Sequence, residues 1–208
     1  MIVGSGRRLP CVDCAEAFFV VCRQSLAGRM KGFSGITKNR SRRGMNGEVS
    51  AWLSVIEGLL EVHARLKRVL ILNDPVVKLI RGQDGKRTLF YLDPPYLHGT
   101  RVTTGEYLHE MTAQDHANLL VVLCGSRLAK VIADCKFLGI APEPWWETAK
   151  PIEGRFLLSG YRSALYDLMS GEGIYRSDFD LPNHASGKAE KDRRIECVWT
   201  NYKPGAVS

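Results

Sequence analysis

Thr88-Leu89-Phe90-Tyr91-Leu92-Asp93-Pro94-Pro95-Tyr96 is the stretch that decides how this chain is read. Thr88–Leu92 is rich in the aromatic and branched residues that fit a pleated, buried surface, which predicts a strand. A proline pair cannot continue a ladder, so the strand ends and the chain turns at once. Upstream, Val69–Asn73 is a second apolar run, predicted as a buried strand, and Pro75 opens a helix to about Ile80. Downstream, Thr112 and Asp115 form a capping box that starts a helix through about Leu123. Gly154–Ser159 is predicted as a strand and Ser163–Ser170 as a short helix. Ile174–Leu181 and Ile195–Tyr202 are the last strands, with the polar loop Pro182–Arg194 between them. Strands alternating with helices imply an α/β fold with a largely parallel sheet. In such sheets the site lies beyond the C-terminal ends of the strands, which is where Asp93–Tyr96 falls.

The N-terminal third has a different character. Residues 1–12 read as a frayed start. Asp13 with Glu16 resembles a capping box, behind which Ala17, Phe18, Val21 and Cys22 share a helix face. Trp52, Val55, Ile56, Leu59 and Leu60 repeat at helical spacing and predict a second helix. Between them, residues 26–47 hold five glycines and read as an extended loop. From Arg23 to Gly47 there is no acidic residue, but there are seven basic ones: Arg23, Arg29, Lys31, Lys38, Arg40, Arg42 and Arg43. That equals the net charge of the whole chain, +7. A segment so charged either attracts a polyanion or is a solvated loop, and composition alone leaves both open. The expected division is therefore 1–68, helical and basic, and 69–208, the sheet-bearing part.

The bulk numbers exclude some classes. No apolar run approaches the ~20 residues that a spanning helix needs, so no membrane partner is expected. The N-terminus shows no secretory pattern, which points to the cytoplasm. The six cysteines then read as reduced thiols. Cys11 and Cys14 form a CxxC, but no second pair completes four zinc ligands, and no metal is expected.

Asp93-Pro94-Pro95-Tyr96 suits one kind of chemistry. An exocyclic amine on a base is a poor nucleophile, because its lone pair is delocalised into the ring. Two acceptors holding its two N–H groups would localise that pair. The Asp93 carboxylate can be one, and the carbonyl of Pro94, fixed by the proline pair, can be the other. Tyr96 offers a ring on which a base taken out of a duplex can stack. With a positively charged methyl donor, transfer becomes a matter of positioning. The plainer alternative is a strand that ends in a Pro-Pro turn, with Tyr96 as a packing residue.

At these residues the chain resembles the DNA adenine methylase family, which transfers methyl from S-adenosylmethionine to adenine N6. Thr88–Arg101 (TLFYLDPPYLHGTR) and Glu106–His116 (EYLHEMTAQDH) resemble the family's fourth strand, its catalytic motif and the following helix. Gly154–Asp167 (GRFLLSGYRSALYD) resembles its fifth strand and the next helix. Asp180–Ser186 (DLPNHAS) and Glu196–Tyr202 (ECVWTNY) resemble its final strands. Phe18–Ser25 (FFVVCRQS) and Arg40–Leu53 (RSRRGMNGEVSAWL) resemble the segment with which the family recognises DNA. The resemblance implies a Rossmann-like methyltransferase sheet of strand order 3-2-1-4-5-7-6. It implies S-adenosylmethionine as cofactor, with Asp93 at its methyl end, and double-stranded DNA as partner. It implies Asp93, Pro94, Pro95 and Tyr96 as the catalytic motif, and Arg23, Gln24, Arg40, Arg42, Arg43 and Asn46 as DNA contacts.

Two departures qualify what the resemblance implies. The FxGxG-like glycine turn that cradles the methionine end of the cofactor is not found, nor is the acidic end of strand two. Residues 125–152 look like an insertion. The expectation is thus an N-terminally truncated sheet lacking strands one and two, with the fourth strand left as an apolar edge. A separate chain supplying the cofactor half would complete it. Two other readings stay open. One is a non-catalytic DNA-binding remnant or one half of a split enzyme. The other is an amino methyltransferase acting on RNA, protein or cytosine N4. Asp at the head of the motif, and the basic segment, favour adenine and DNA.

Overall fold

The structure, a computed structural model, describes residues 11–25, 30, 32, 41–42, 44–100, 110–171, 173–182 and 193–205; for residues 42, 99, 182 and 194 it describes the backbone alone. The chain divides into two compact units, Met1–Leu72 and Asn73–Ser208, against an expected boundary at 68/69.

The second unit is mixed α/β. Its sheet has four strands, β3 (Leu89–Leu92), β4 (Arg155–Gly160), β5 (Tyr175–Pro182) and β6 (Arg193–Thr200), in the order β3-β4-β6-β5. Only β3 and β4 run parallel; β6 is antiparallel to both its neighbours. The expectation of a largely parallel sheet is corrected here. β5 and β6 form an antiparallel pair, and such a pair requires no crossover helix.

The helices form where local signals placed them. Helix α4 (Val76–Gln83) follows Pro75 as its N-cap residue. Helix α5 (Ala113–Cys124) opens on the Thr112–Asp115 capping box, with both reciprocal bonds made. Ser163 caps α7 (Ala164–Asp167) by accepting from the Tyr166 N–H. Residues 125–152 hold helix α6 (Ser126–Asp134) and two 3-10 turns, Lys136–Leu138 and Pro144–Trp146. This segment is part of the core. Leu128, Ala129, Ile132 and Trp146 are buried with Leu119, Leu120 and Leu123 of α5. The Trp146 indole donates to Asn118 of α5 at 2.8 Å.

Val69–Asn73 is not a strand, which corrects the second sequence expectation. It lies in the first unit but for its last residue, and Leu70 and Ile71 are more than three-quarters exposed. A strand exists only through its ladder, and no described residue pairs with this run.

In the first unit, α1 (Val12–Gln24) is capped by the Cys11 thiol, which accepts from the Cys14 N–H at 3.2 Å. The expected Asp13–Glu16 capping box is therefore displaced: Asp13 lies inside the first turn, not before it. The predicted helix around Trp52–Leu60 is two helices, α2 (Gly47–Glu57) and α3 (Leu59–Leu66), divided at Gly58. Just before α2, inside the stretch read as a loop, β1 (Ser41–Arg42) and β2 (Met45–Asn46) pair antiparallel. Gly44 lies between them at φ +72°, a backbone state that glycine adopts without strain.

Among the described residues no helix is long and apolar enough to cross a membrane.

Candidate active site

The pairing of β3 with β4 builds the site. Leu92 is in register with Leu158, so Asp93, one step on, comes beside Ser159. This close parallel pairing depends on a glycine at the start of β4: a Cβ on Gly154 would meet the Thr88 carbonyl oxygen at 2.9 Å and that of Gly85 at 3.1 Å. Asp84, just past α4, accepts from the Gly154 and Glu153 N–H groups at about 3.0 Å and ties this end of β4 down.

At the other end of the pair, polar groups converge. The Ser159 hydroxyl donates to Asp93 Oδ1 at 2.8 Å, with the Leu92 carbonyl a longer alternative at 3.3 Å. The Tyr96 hydroxyl donates to Glu196 Oε1 on β6. The Tyr161 ring, just past β4, meets the Tyr96 ring edge to face, centroids 4.8 Å apart. Burial first, and then the bond to Glu196, push the Tyr96 phenol far above its ordinary range. It therefore stays protonated and remains a donor.

The cluster lies on one side of the sheet. Side chains alternate along a strand. Phe156 and Leu158 of β4, with Cys197 and Trp199 of β6, are buried in the core. Ser159 and Glu196 are the alternate residues, on the opposite face: Ser159 near the C-terminal end of β4, Glu196 on the antiparallel β6, next to the Cys197 that pairs with Gly160. Asp93 itself is exposed. The arrangement offers a solvent-facing carboxylate, held on one oxygen, beside a braced aromatic ring. That can accept an N–H from a planar amine.

All four motif residues, Asp93, Pro94, Pro95 and Tyr96, are thus in one described segment at the strand ends. Sequence reasoning missed Ser159, Tyr161 and Glu196. Ser159 and Tyr161 fall in the segment LSGYRS and Glu196 in ECVW, both already singled out, so position gave a signal but role did not.

The other expected site residues belong to the first unit. Arg23 and Gln24 are exposed in the last turn of α1. Asn46 caps α2, its side-chain oxygen accepting from the Glu48 N–H at 2.9 Å. Arg42 is in β1, known here by its backbone alone, and Arg40 and Arg43 lie outside the described residues. His116 is buried in the core with the Tyr166 hydroxyl 2.9 Å from Nδ1. His109 lies outside the described residues, as does His184, to which no role is assigned.

No family model matches the sequence, and neither a curated protein nor a solved structure does.

Proposed function

We propose that the chain is the catalytic half of an S-adenosylmethionine-dependent methyltransferase acting on adenine N6 in double-stranded DNA. The observation that carries this reading is the exposed Asp93 carboxylate at the C-terminal end of β3, beside the braced ring of Tyr96. The strand order adds support. β3-β4-β6-β5 has the same order as the 4-5-7-6 portion of the expected sheet. A Rossmann-like methyltransferase sheet is the finer statement this supports.

The reading assigns roles as follows. Asp93 accepts one N–H of the target amine, the Pro94 carbonyl accepts the other, and Tyr96 stacks on the base. Bound S-adenosylmethionine would supply the electrophilic methyl group. The described residues fit only its methyl end, through Asp93 and Tyr96. No glycine turn of the FxGxG kind occurs in the sequence, so the methionine end lacks its cradle here. Arg23, Gln24, Arg40, Arg42, Arg43 and Asn46 are the proposed DNA contacts.

Product analysis tests the class of reaction. DNA incubated with the chain and millimolar S-adenosylmethionine is digested to nucleosides. N6-methyldeoxyadenosine is expected; N4-methyldeoxycytidine would move the reading to the cytosine class, and methyl found only in RNA or protein would move it to those substrates.

A second reading, one half of a split enzyme or a DNA-binding remnant, has its own observation. Among the described residues β3 is an edge strand, with Leu89 62% and Tyr91 70% exposed, which suits a surface that another segment covers. Calorimetric titration with S-adenosylmethionine separates the readings. Losing two or three charge-assisted hydrogen bonds of about 1.5–3 kcal/mol each would move a micromolar ligand toward millimolar or weaker. Heat too small to fit, recovered when a segment bearing FxGxG is added, favours the split; micromolar affinity for the chain alone would reject it.

A further inference from the structure

Ser159 is buried and Glu196 half-buried, but neither belongs to the apolar core cluster. They lie on the face of β4 and β6 turned away from Phe156, Leu158 and Trp199, and each spends its side chain on the Asp93–Tyr96 segment. We propose that they are positioning residues: Ser159 pins one oxygen of Asp93 so that only the other faces the substrate amine, and Glu196 sets the angle of the Tyr96 ring. This rests on the methyltransferase reading and says what holds that site in its working geometry.

The Ser159 hydroxyl has one proton to give. Asp93 Oδ1 at 2.8 Å is nearer than the Leu92 carbonyl at 3.3 Å and, unlike that carbonyl or the neighbouring Tyr96 hydroxyl, is a carboxylate oxygen, so the carboxylate takes it. Asp93 could otherwise rotate about its side-chain bonds, since it is exposed. A carboxylate that turns freely presents its oxygens over many directions. One held at Oδ1 presents Oδ2 in a single direction, which matters where a small misplacement costs rate.

Glu196 plays the matching part at the other end of the motif. The last ladder pair between β4 and β6 is Gly160 with Cys197, so Tyr161 and Glu196 face each other one step further on. Both reach Tyr96, Tyr161 by its ring and Glu196 by its carboxylate. The Tyr96 ring is therefore held at its edge and at its hydroxyl tip. A stacking platform fixed at two points keeps one orientation toward the base and the carboxylate. The hydroxyl of Tyr96 thus has a task that stacking alone does not require.

Two measurements on the full chain test this, one independent of activity. The first is hydrogen exchange across residues 92–98 in Ser159→Ala and Glu196→Gln, with β4 and β6 peptides as the internal control. Faster exchange confined to 92–98 is expected. Unchanged exchange there, or loosening of the whole sheet, would overturn the pinning. The second is steady-state methyl transfer at high S-adenosylmethionine. Ser159→Ala should lower kcat about tenfold or more, the effect of one hydrogen bond to a charged group, with KM for DNA unchanged. Ser159→Thr, which keeps the hydroxyl, should restore most of it. Transfer by Ser159→Ala at the wild-type rate would overturn the role in catalysis even if exchange had changed. Faster exchange in both variants beside a wild-type chain that transfers no methyl at all would reject the methyltransferase reading itself, and with it any catalytic role, while leaving the two residues as braces of the motif.

Discussion

The two units place their apolar residues differently. In the second, Leu119, Leu120, Phe156, Leu158 and Trp199 are sealed in one core that runs from α4 to β6. In the first, the only buried residues among those described are Ser25 and Ser50. Yet Trp52, Val55, Ile56, Leu59 and Leu60 have as regular a helical spacing as anything in α5. Leu60 is 80% exposed and Leu120 is wholly buried. Periodicity marks the face that could be covered. Whether it is covered depends on a second layer, which α5 finds in the sheet and α6.

The largest expected effect breaks that symmetry directly. Phe156→Ala should destabilise the second unit by about 3–5 kcal/mol, as a lost buried aromatic with its cavity. Leu60→Ala should change stability by about 0.5 kcal/mol or less, as exposed substitutions do. Urea denaturation of each variant checks both. A comparable loss from Leu60→Ala would mean that α3 is covered in solution and the contrast is false.

The next prediction concerns charge, which the first unit has in place of a core. Replacing Arg40, Arg42 and Arg43 with Gln should weaken DNA binding. It should also lower the slope of log affinity against log salt by roughly one unit per lost phosphate contact. An unchanged slope would assign the basic stretch to solvent.

The smallest effect is a contrast of thiols. The Cys14 side chain and N–H, both bonded to Cys11, hold the exposed Cys11 thiol below its ordinary value, whereas burial pushes Cys124 up to about 12. A lowered value means more thiolate at a given pH, and a raised one less. In the pH window 7–9, iodoacetamide should label Cys11 well before Cys124, read by mass spectrometry of tryptic peptides. Equal rates would show that the second unit opens readily at α5.

The sequence was most legible where signals are local. The Thr112–Asp115 box, Pro75 before α4, Ser163 before α7 and the apolar runs of β3 and β4 each depend on a few neighbouring residues, and each falls close to where it was read. Val69–Asn73 failed because apolar composition specifies no partner. The Asp13–Glu16 box failed because a thiol one step outside the usual capping residues took the position. Residues 125–152 read as an insertion, a reading that says nothing of packing; Leu128, Ile132 and Trp146 are buried in the core. In the candidate site the motif was legible and its supports were not. Asp93 meets Ser159 only through the register of β3 on β4, and Tyr96 meets Glu196 across 100 residues of chain. Neither relation is written in local spacing.

The central claim is that the carboxylate at the end of β3 does the chemistry, and Asp93→Ala tests it most directly. Methyl transfer to DNA by the wild-type and variant chains is compared at the same high S-adenosylmethionine concentration, with DNA affinity measured alongside. Asp93→Ala should abolish transfer while leaving DNA affinity nearly intact, since the basic stretch lies in the other unit. Substantial transfer without the carboxylate would contradict the account.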